Sequence, residues 1–202
     1  MAKKILFIVT SHGELGSSGN ASGSWLEELA TPYWQFVDAG FDVAIASPKG
    51  GKAPIDPMSL EDAWISDNGR RFLADATASA KLNGTQPLES IRDEGLDGIF
   101  LVGGTATTWD FPHNPVIKRL AETLFARGDV VAGICHGVIG RRRGRGGRGR
   151  WSCGLYNVSR PQSRYVSDVL AGKRGLADRI ANALGYERHV VFRRGEHLKE
   201  GR

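Results

Sequence analysis

Short apolar runs alternate with longer amphipathic stretches along residues 1–139 of the chain. The apolar runs are rich in β-branched and other large hydrophobic residues, and a continuous run of that kind is typical of a strand buried on both faces. Four such runs predict four strands, at residues 4–10, 41–46, 98–102 and 130–134. Strands that are buried on both faces indicate a sheet with helices packed on either side.

The first amphipathic stretch, residues 25–39, predicts a helix between the first two strands. Ser24 and Glu27 have the spacing of a capping box, in which each side chain bonds a free N–H group at the helix start. Gly40 follows the last helical residue, where a glycine commonly ends a helix. Strand, helix and strand in this order predict a right-handed βαβ unit with parallel strands.

Two further helices are predicted, over residues 68–82 and 116–127. Asn114 precedes the second of them as an N-cap residue, and Gly128 ends it. A short last strand is expected at residues 189–192. The alternation predicts an α/β fold, a three-layer sandwich around a mostly parallel sheet, formed by one domain over residues 1–202.

Sheets of this kind bind ligands at the carboxyl ends of their strands, and three candidate site residues lie at that edge. Thr10, Gly103 and Cys135 each end or follow a predicted strand. Cys135 is followed by His136 and Gly137, and a sharp turn at the glycine would lift the thiol out of the sheet, near N–H groups at a helix end, which favour a thiolate. A buried structural cysteine with an incidental histidine remains the alternative on these residues alone.

Composition narrows the class of protein. The 202 residues are 41% hydrophobic, which is enough for a folded domain with a core, and no apolar run approaches the length of a membrane span. Two cysteines do not make a disulfide framework, so a reducing, cytoplasmic location is expected. The histidines His12, His113, His189 and His197 lack metal-ligand spacing.

The net charge of +5 comes from one segment. Residues 141–150 contain six arginines and no acidic residue, and without them the net charge is −1. An Arg/Gly run can bind phosphate groups, so nucleic-acid binding is one alternative function. We disfavour it because the run is a single short block without interleaved aromatic residues.

Several short motifs occur in a fixed order along residues 3–139. They are Thr10-Ser11-His12, Gly23-x-Trp25-Leu26-Glu27-Glu28, Ala46-Ser47-Pro48-Lys49-Gly50-Gly51, Gly103-Gly104, Trp109-Asp110 and Cys135-His136-Gly137. In order and spacing they resemble those of the PfpI-type superfamily, also called class I glutamine amidotransferase-like, and in particular its heat-shock chaperone and glyoxalase III branch. The resemblance covers about residues 3–139.

The resemblance implies a flavodoxin-like domain in which Cys135 is the nucleophile on a strand-to-helix elbow, His136 its catalytic neighbour and Glu28 an acid reaching in from the first helix. The alternative for Glu28 is an ordinary solvated helix carboxylate. The backbone N–H groups near Gly104 and His136 would hold an oxyanion. The substrate side of the site would include Gly103, Gly104, Thr105, Trp25 and His12.

The function implied by the resemblance is a glutathione-independent glyoxalase that converts methylglyoxal to D-lactate, or a deglycase that acts on glycated protein. The resemblance implies no metal or organic cofactor. A homodimer is possible, because dimers are common among relatives. A non-catalytic stress chaperone and an inactive relative are the alternatives. Glutaminase activity is disfavoured, because no later His-x-Glu pair is present. Thr105-Ala106 stands where the branch usually has His-Gly, so substrate preference is left open.

After about residue 139 the resemblance ends. Residues 141–202 show none of the loops and helices that the branch continues with, although residues 176–184 have some helical character. Codons for an Asp-Ala-Asp-Gly loop in GC-rich DNA, read in a shifted frame, give Arg-Gly-Arg. The Arg/Gly composition of residues 142–146 therefore suggests a reading-frame shift.

Overall fold

The chain forms one sheet with helices on both of its faces, as the alternating pattern predicts. The computed structural model describes residues 2–140 and 189–192. The strands are β1 (Lys4–Ile8), β2 (Asp42–Ser47), β3 (Gln86–Pro87), β4 (Gly98–Leu101), β5 (Val130–Ile134) and β6 (His189–Phe192). The helices are α1 (Leu26–Asp38), α2 (Asp67–Ala74), α3 (Ala76–Asn83), α4 (Thr107–Asp110) and α5 (Pro115–Arg127).

The strand order in the sheet is β3-β2-β1-β4-β5-β6, and all neighbouring pairs are parallel except β5 and β6. The four long parallel strands therefore follow the order of a flavodoxin-like sheet. The predicted last strand at 189–192 is confirmed, and it pairs in antiparallel fashion with β5. The two-residue strand β3 carries no apolar run and was not predicted.

Alternate residues of β1 serve two separate hydrophobic clusters, which explains why the strand sequence is apolar throughout. Ile5 and Phe7 pack with side chains of α1, α2 and α3 on one face. Leu6 and Ile8 pack with side chains of α5 on the other. The three-layer sandwich is therefore confirmed.

The start of α1 differs from the predicted capping box. Trp25 is the N-cap residue and makes no side-chain capping bond. The Ser24 hydroxyl instead accepts a hydrogen bond from the backbone N–H of Thr10, and the Glu27 carboxylate accepts one from the Ser66 hydroxyl. The capping box was wrong because both side chains are used in tertiary contacts, which tie α1 to the end of β1 and to the start of α2.

The end of α1 follows the prediction. Gly40 has a φ of 81°, and its N–H donates to the Val37 carbonyl while the Phe41 N–H donates to the Phe36 carbonyl. These two bonds are those of a Schellman motif, and the Phe36 and Phe41 rings meet edge to face, as the motif's usual apolar contact. The motif turns the chain directly into β2.

The single helix predicted over 68–82 is two helices. Asp75 ends α2 and begins α3, and its carboxylate accepts a hydrogen bond from the Ala78 N–H. An aspartate in that role caps the second helix and interrupts the first. The predicted helix over 116–127 is confirmed as α5, with Asn114 as its N-cap and Gly128 in the left-handed conformation at its end.

Several sequence features lie outside the described residues. They are the Arg/Gly run at 141–150, the helix expected at 176–184 and Cys153.

Candidate active site

Cys135 lies at the corner where β5 ends. Its φ of 51° is unusual for a residue with a side chain, and it opens a 3-10 turn formed by Cys135–Gly140. The thiol is half-buried, and its Sγ lies 3.2 Å from Nδ1 of His136. Gly137 fits because a Cβ there would overlap the Leu101 carbonyl. Strand β5 thus ends at Ile134, and the chain continues directly as a 3-10 turn.

The first helix brings Glu28 to this corner. The backbone N–H of Trp25 donates to the Gly103 carbonyl over 3.1 Å, which fixes the start of α1 against the end of β4. Glu28 then lies in the first turn, and its Oε2 occupies the space that a Cβ on Gly103 would need. The same Cβ would approach the Cβ of Cys135 to 2.8 Å. Gly103 therefore allows the carboxylate and the cysteine to meet.

The electrostatics of the corner keep the thiol protonated. Burial, followed by the negative charge and the hydrogen bond of Glu28, raises the pKa of Cys135 to about 11. The backbone N–H groups of His136 and Gly104 act in the opposite direction and lower that pKa, but they do not prevail. The thiol is therefore protonated at neutral pH, beside the Glu28 carboxylate.

This result corrects the expectation that the corner favours a thiolate. The expected N–H groups are present, but the sequence alone does not reveal that burial and Glu28 outweigh them. Glu28 is also not a solvated helix carboxylate. It is half-buried against Cys135 and Gly103, so the alternative considered for it is wrong.

Gly104 follows Gly103 with a φ of 116° and is confined on its other side by the chain that leads into α1. A Cβ on Gly104 would lie 2.7 Å from both Ser24 Cα and Trp25 N. The Gly104 carbonyl accepts hydrogen bonds from the Thr107 N–H and hydroxyl. Gly104 is therefore held at the narrow gap between α1 and the Cys135 turn, with its N–H on the thiol.

Of the other predicted site residues, Thr105 and Trp25 are close to this gap. Thr105 directly follows Gly104, is half-buried and begins the run of turns into α4. The half-buried Trp25 ring meets the exposed Trp64 ring edge to face, with 5.8 Å between the ring centroids. These two side chains offer one apolar and one polar group next to Gly104.

His12 belongs to a neighbouring cluster around the end of β1. Its ring stacks on the ring of Trp109 at 5.2 Å between centroids, and its backbone N–H donates to the Thr10 hydroxyl. Among the described residues, Nε2 of His12 is buried without a hydrogen-bond partner. His12 therefore contacts the end of β1 and α4.

Asp110 connects this cluster to α4 and was not singled out as a site residue. Its carboxylate accepts hydrogen bonds from the Thr10 hydroxyl over 2.8 Å and from the Ser11 N–H over 2.7 Å. Burial raises the pKa of Asp110, and the bonds from Thr10 and Ser11 and the charge of His12 partly offset that rise. The only signal in the sequence was the Trp109-Asp110 pair, whose contact with the end of β1 is tertiary.

The described residues give two further findings. Across residues 2–140 and 189–192, no three His, Cys, Asp or Glu side chains come together as a set of metal ligands. In that same part of the chain, no helix combines the length and the apolar composition that crossing a membrane would need.

The sequence pattern of the DJ-1/PfpI family matches residues 21–150, which is more than half of the chain. The chain belongs to the DJ-1/PfpI family. The match includes Glu28, the two glycines after β4, and Cys135 with His136, so the family pattern spans the whole of the corner described above.

Solved structures support the same assignment of this DJ-1/PfpI chain. The rapid encystment protein of 24 kDa from Francisella tularensis is 34% identical, with a TM-score of 0.65 over 68% of this chain and 60% of that protein. Glyoxalase III from Candida albicans has a TM-score of 0.61 at 23% identity over 68% of this chain and 58% of that protein, which shows a shared fold.

Similar curated proteins carry glyoxalase names. A glutathione-independent glyoxalase of Schizosaccharomyces pombe is 28% identical over 68% of this chain and 58% of its own length. Glyoxalase 3 of Candida albicans is 26% identical over 66% of this chain and 58% of its own length. The chain thus spans less than three-fifths of the length of these relatives.

Proposed function

We propose that this DJ-1/PfpI chain is a glutathione-independent glyoxalase that converts a small 2-oxoaldehyde, such as methylglyoxal, to the corresponding 2-hydroxy acid, D-lactate. The observation that carries the proposal is the close approach of the Glu28 carboxylate and Cys135 at Gly103, where a single Cβ would meet both side chains. A nucleophile and a base in hydrogen-bonding contact are what covalent catalysis on a carbonyl requires.

In the first step Sγ of Cys135 adds to the aldehyde carbon. The S–C bond forms, the C=O π bond opens, and the thiol proton passes through Glu28 to the new alkoxide oxygen, which gives a hemithioacetal and returns Glu28 to its ionised form. Because the raised pKa of Cys135 keeps the proton on sulfur until then, Glu28 acts as the general base of this step. The backbone N–H groups of Gly104 and His136, which lower the pKa of the thiol, are the donors that we propose for the oxygen next to the sulfur.

In the second step hydrogen moves between the two adjacent carbons of the adduct. A base removes the proton from the former aldehyde carbon, an enediol forms, and the neighbouring carbon takes a proton as the first becomes a thioester carbonyl. Glu28 or His136 carries this proton. One carbon is oxidised and the other reduced by the same amount, so the step needs no external electron carrier.

In the third step water attacks the thioester carbonyl. The acyl–sulfur bond breaks, the 2-hydroxy acid leaves, and the sulfur regains its proton. The sum is one 2-oxoaldehyde and one water giving one hydroxy acid. The glyoxalase reaction is preferred over the release of adducts from glycated protein because the similar curated proteins are named glyoxalases.

The test measures D-lactate formed from methylglyoxal by the purified chain in the absence of glutathione. We expect turnover by the wild type and a loss of roughly a thousandfold or more for Cys135→Ser, because a serine hydroxyl is a much weaker nucleophile than a thiol. Circular dichroism of both proteins controls for folding. A folded wild type without turnover would reject the proposed function. A stress-chaperone activity left intact by Cys135→Ser would favour the non-catalytic alternative instead.

A further inference from the structure

We propose that Asp110 is a positioning residue of the candidate active site, which holds Gly104 next to the turn that carries Cys135 by clamping α4 to the end of β1. The inference rests on the proposed function only in taking Cys135 as the reacting group. Asp110 does not touch the thiol, so its effect has to pass through the chain between it and Gly104.

That chain is a continuous run of turns. The Thr107 N–H donates to the Gly104 carbonyl, the Thr108 N–H to the Thr105 carbonyl and the Trp109 N–H to the Ala106 carbonyl, over 3.1, 3.1 and 3.2 Å. The hydroxyls of Thr107 and Thr108 each bond the same carbonyl as their own N–H. Residues 104–110 therefore form a tightly bonded unit, and a shift at Asp110 is transmitted to Gly104.

The clamp is placed at the end of an interior strand of the sheet. Thr10 is fully buried, and besides its bond to Asp110 its backbone N–H donates to the Ser24 hydroxyl. The second carboxylate oxygen of Asp110 accepts a hydrogen bond from the Ser11 N–H. One side chain on α4 thus holds both groups that follow β1, the central strand between β2 and β4.

The position of the unit matters because the gap at Gly104 is narrow. The unit packs directly against the 3-10 turn that carries Cys135 and His136. On the opposite side the Gly104 backbone meets Ser24 and Trp25 at the start of α1, with no room for a Cβ. A small movement of α4 would therefore change the position of Gly104 relative to the Cys135 sulfur.

The experiment measures the rate of iodoacetamide alkylation of Cys135 against pH, followed by mass spectrometry of the peptide that contains it. Asp110→Ala removes both bonds of the clamp, and Thr10→Val removes one of them. Since the Gly104 N–H lowers the pKa of the thiol, we expect both variants to move the alkylation profile to higher pH. At a fixed pH below the midpoint, alkylation should slow by roughly three- to tenfold, the factor that corresponds to one ordinary hydrogen bond.

Two matched controls separate positioning from loss of stability. Thr10→Ser keeps the hydroxyl and should retain the wild-type profile. Asp93→Ala removes a carboxylate that pairs with Arg119 and Arg127 and lies near the start of β4, at the opposite edge of the sheet. It should lower the unfolding midpoint in urea and leave the alkylation profile unchanged.

Circular dichroism first shows that Asp110→Ala and Thr10→Val are folded. If the alkylation rates of both variants then stay within about twofold of the wild-type rate at every pH, the positioning role is wrong. If Asp110→Ala does not fold, Thr10→Val against Thr10→Ser decides the question. Alkylation does not depend on methylglyoxal turnover. An inactive wild type whose profile responds to Asp110→Ala would therefore reject the proposed function and keep the positioning role.

Discussion

At the scale of single residues, Glu28 has two proposed effects on the Cys135 thiol. Its charge raises the pKa of the thiol, which suppresses general reactivity, and in the proposed mechanism it also accepts the thiol proton, which would support addition to a bound carbonyl. An alkylating reagent and a 2-oxoaldehyde should therefore respond in opposite directions when the charge of Glu28 is removed.

The first prediction concerns that opposition. Glu28→Gln removes the negative charge beside the sulfur, so the pKa of Cys135 should fall from about 11 and alkylation should reach its midpoint at lower pH. Below the wild-type midpoint the variant should alkylate faster. The measurement is the alkylation rate of the Cys135 peptide across pH 7–11, the range from about neutral pH to the wild-type midpoint.

Glu27→Gln is the matched control, because Glu27 is the neighbouring carboxylate of the same helical turn and bonds Thr31 and Ser66 instead. Its alkylation profile should equal that of the wild type. A Glu28→Gln midpoint at or above the wild-type value would show that Glu28 does not control the thiol.

At the scale of elements, close backbone contacts and caps determine where each segment turns. Gly103 follows β4 and Gly137 follows β5. At each of these positions an added Cβ would meet another part of the backbone, and at Gly103 it would also meet the Glu28 carboxylate. Their role is steric, and it can be separated from chemistry by measuring stability.

Gly137→Ala should destabilise the fold by about 1–3 kcal/mol, the usual cost of adding a carbon atom where there is no space. The reason is that the added Cβ would overlap the Leu101 carbonyl and lie 2.8 Å from the Val102 carbonyl oxygen. Urea denaturation gives the free energy of unfolding. Gly84→Ala is the control, because its Cβ would meet only the Ala80 carbonyl, at 3.4 Å. Equal stabilities of the two variants would contradict the steric explanation.

The break between α2 and α3 gives a second stability prediction. Asp75→Ala removes the carboxylate that caps α3 and should cost about 1 kcal/mol. Asp62→Ala serves for comparison, since Asp62 makes an exposed ion pair with Arg70 that should contribute less than about 0.5 kcal/mol. If urea denaturation shows no larger loss for Asp75→Ala, the cap does not stabilise the break.

The elements show which parts of the fold a sequence can reveal. Apolar runs predicted every long strand, because burial on both faces leaves a continuous local signal. The pattern could not show that Asp75 divides the helix at 68–82, since the apolar period continues across it and only a capping bond ends α2. The Ser24–Glu27 capping box was wrong for a related reason, because local spacing does not reveal the tertiary partners Thr10 and Ser66.

The site was predictable to a similar extent. Cys135, His136 and Gly137 follow an apolar strand directly, so the corner was visible in one short stretch. Glu28 was found only through the resemblance, and its effect on the pKa of Cys135 depends on α1 being placed against Gly103. Asp110 gave almost no signal, because its clamp joins segments that are far apart in the chain.

At the scale of the whole molecule, residues 2–140 carry the candidate active site. The strands and the corner at Cys135 are formed by residues before 141, apart from β6 at 189–192. The curated relatives are covered over less than three-fifths of their length. The frame-shift hypothesis for residues 141–202 stays a prediction.

Resequencing the gene around the codons for residues 138–150 tests it. We expect one added or missing base, whose correction replaces the Arg/Gly run by an Asp-Ala-Asp-Gly-like loop. Peptide mass spectrometry of the native protein gives the second readout. Peptides that match residues 151–164 as printed would contradict the hypothesis, and salt-sensitive RNA binding that is lost on deleting 141–150 would then support a role for the run.

The most direct measurement is the rate of D-lactate formation from methylglyoxal, without glutathione, by wild type, Glu28→Gln and Glu27→Gln side by side. We expect Glu28→Gln to lose roughly a hundredfold or more, the contribution of a general base, while Glu27→Gln stays within a few-fold of the wild type. Full activity of Glu28→Gln, or an equal loss in both variants, would contradict the claim that the Cys135–Glu28 pair carries the reaction.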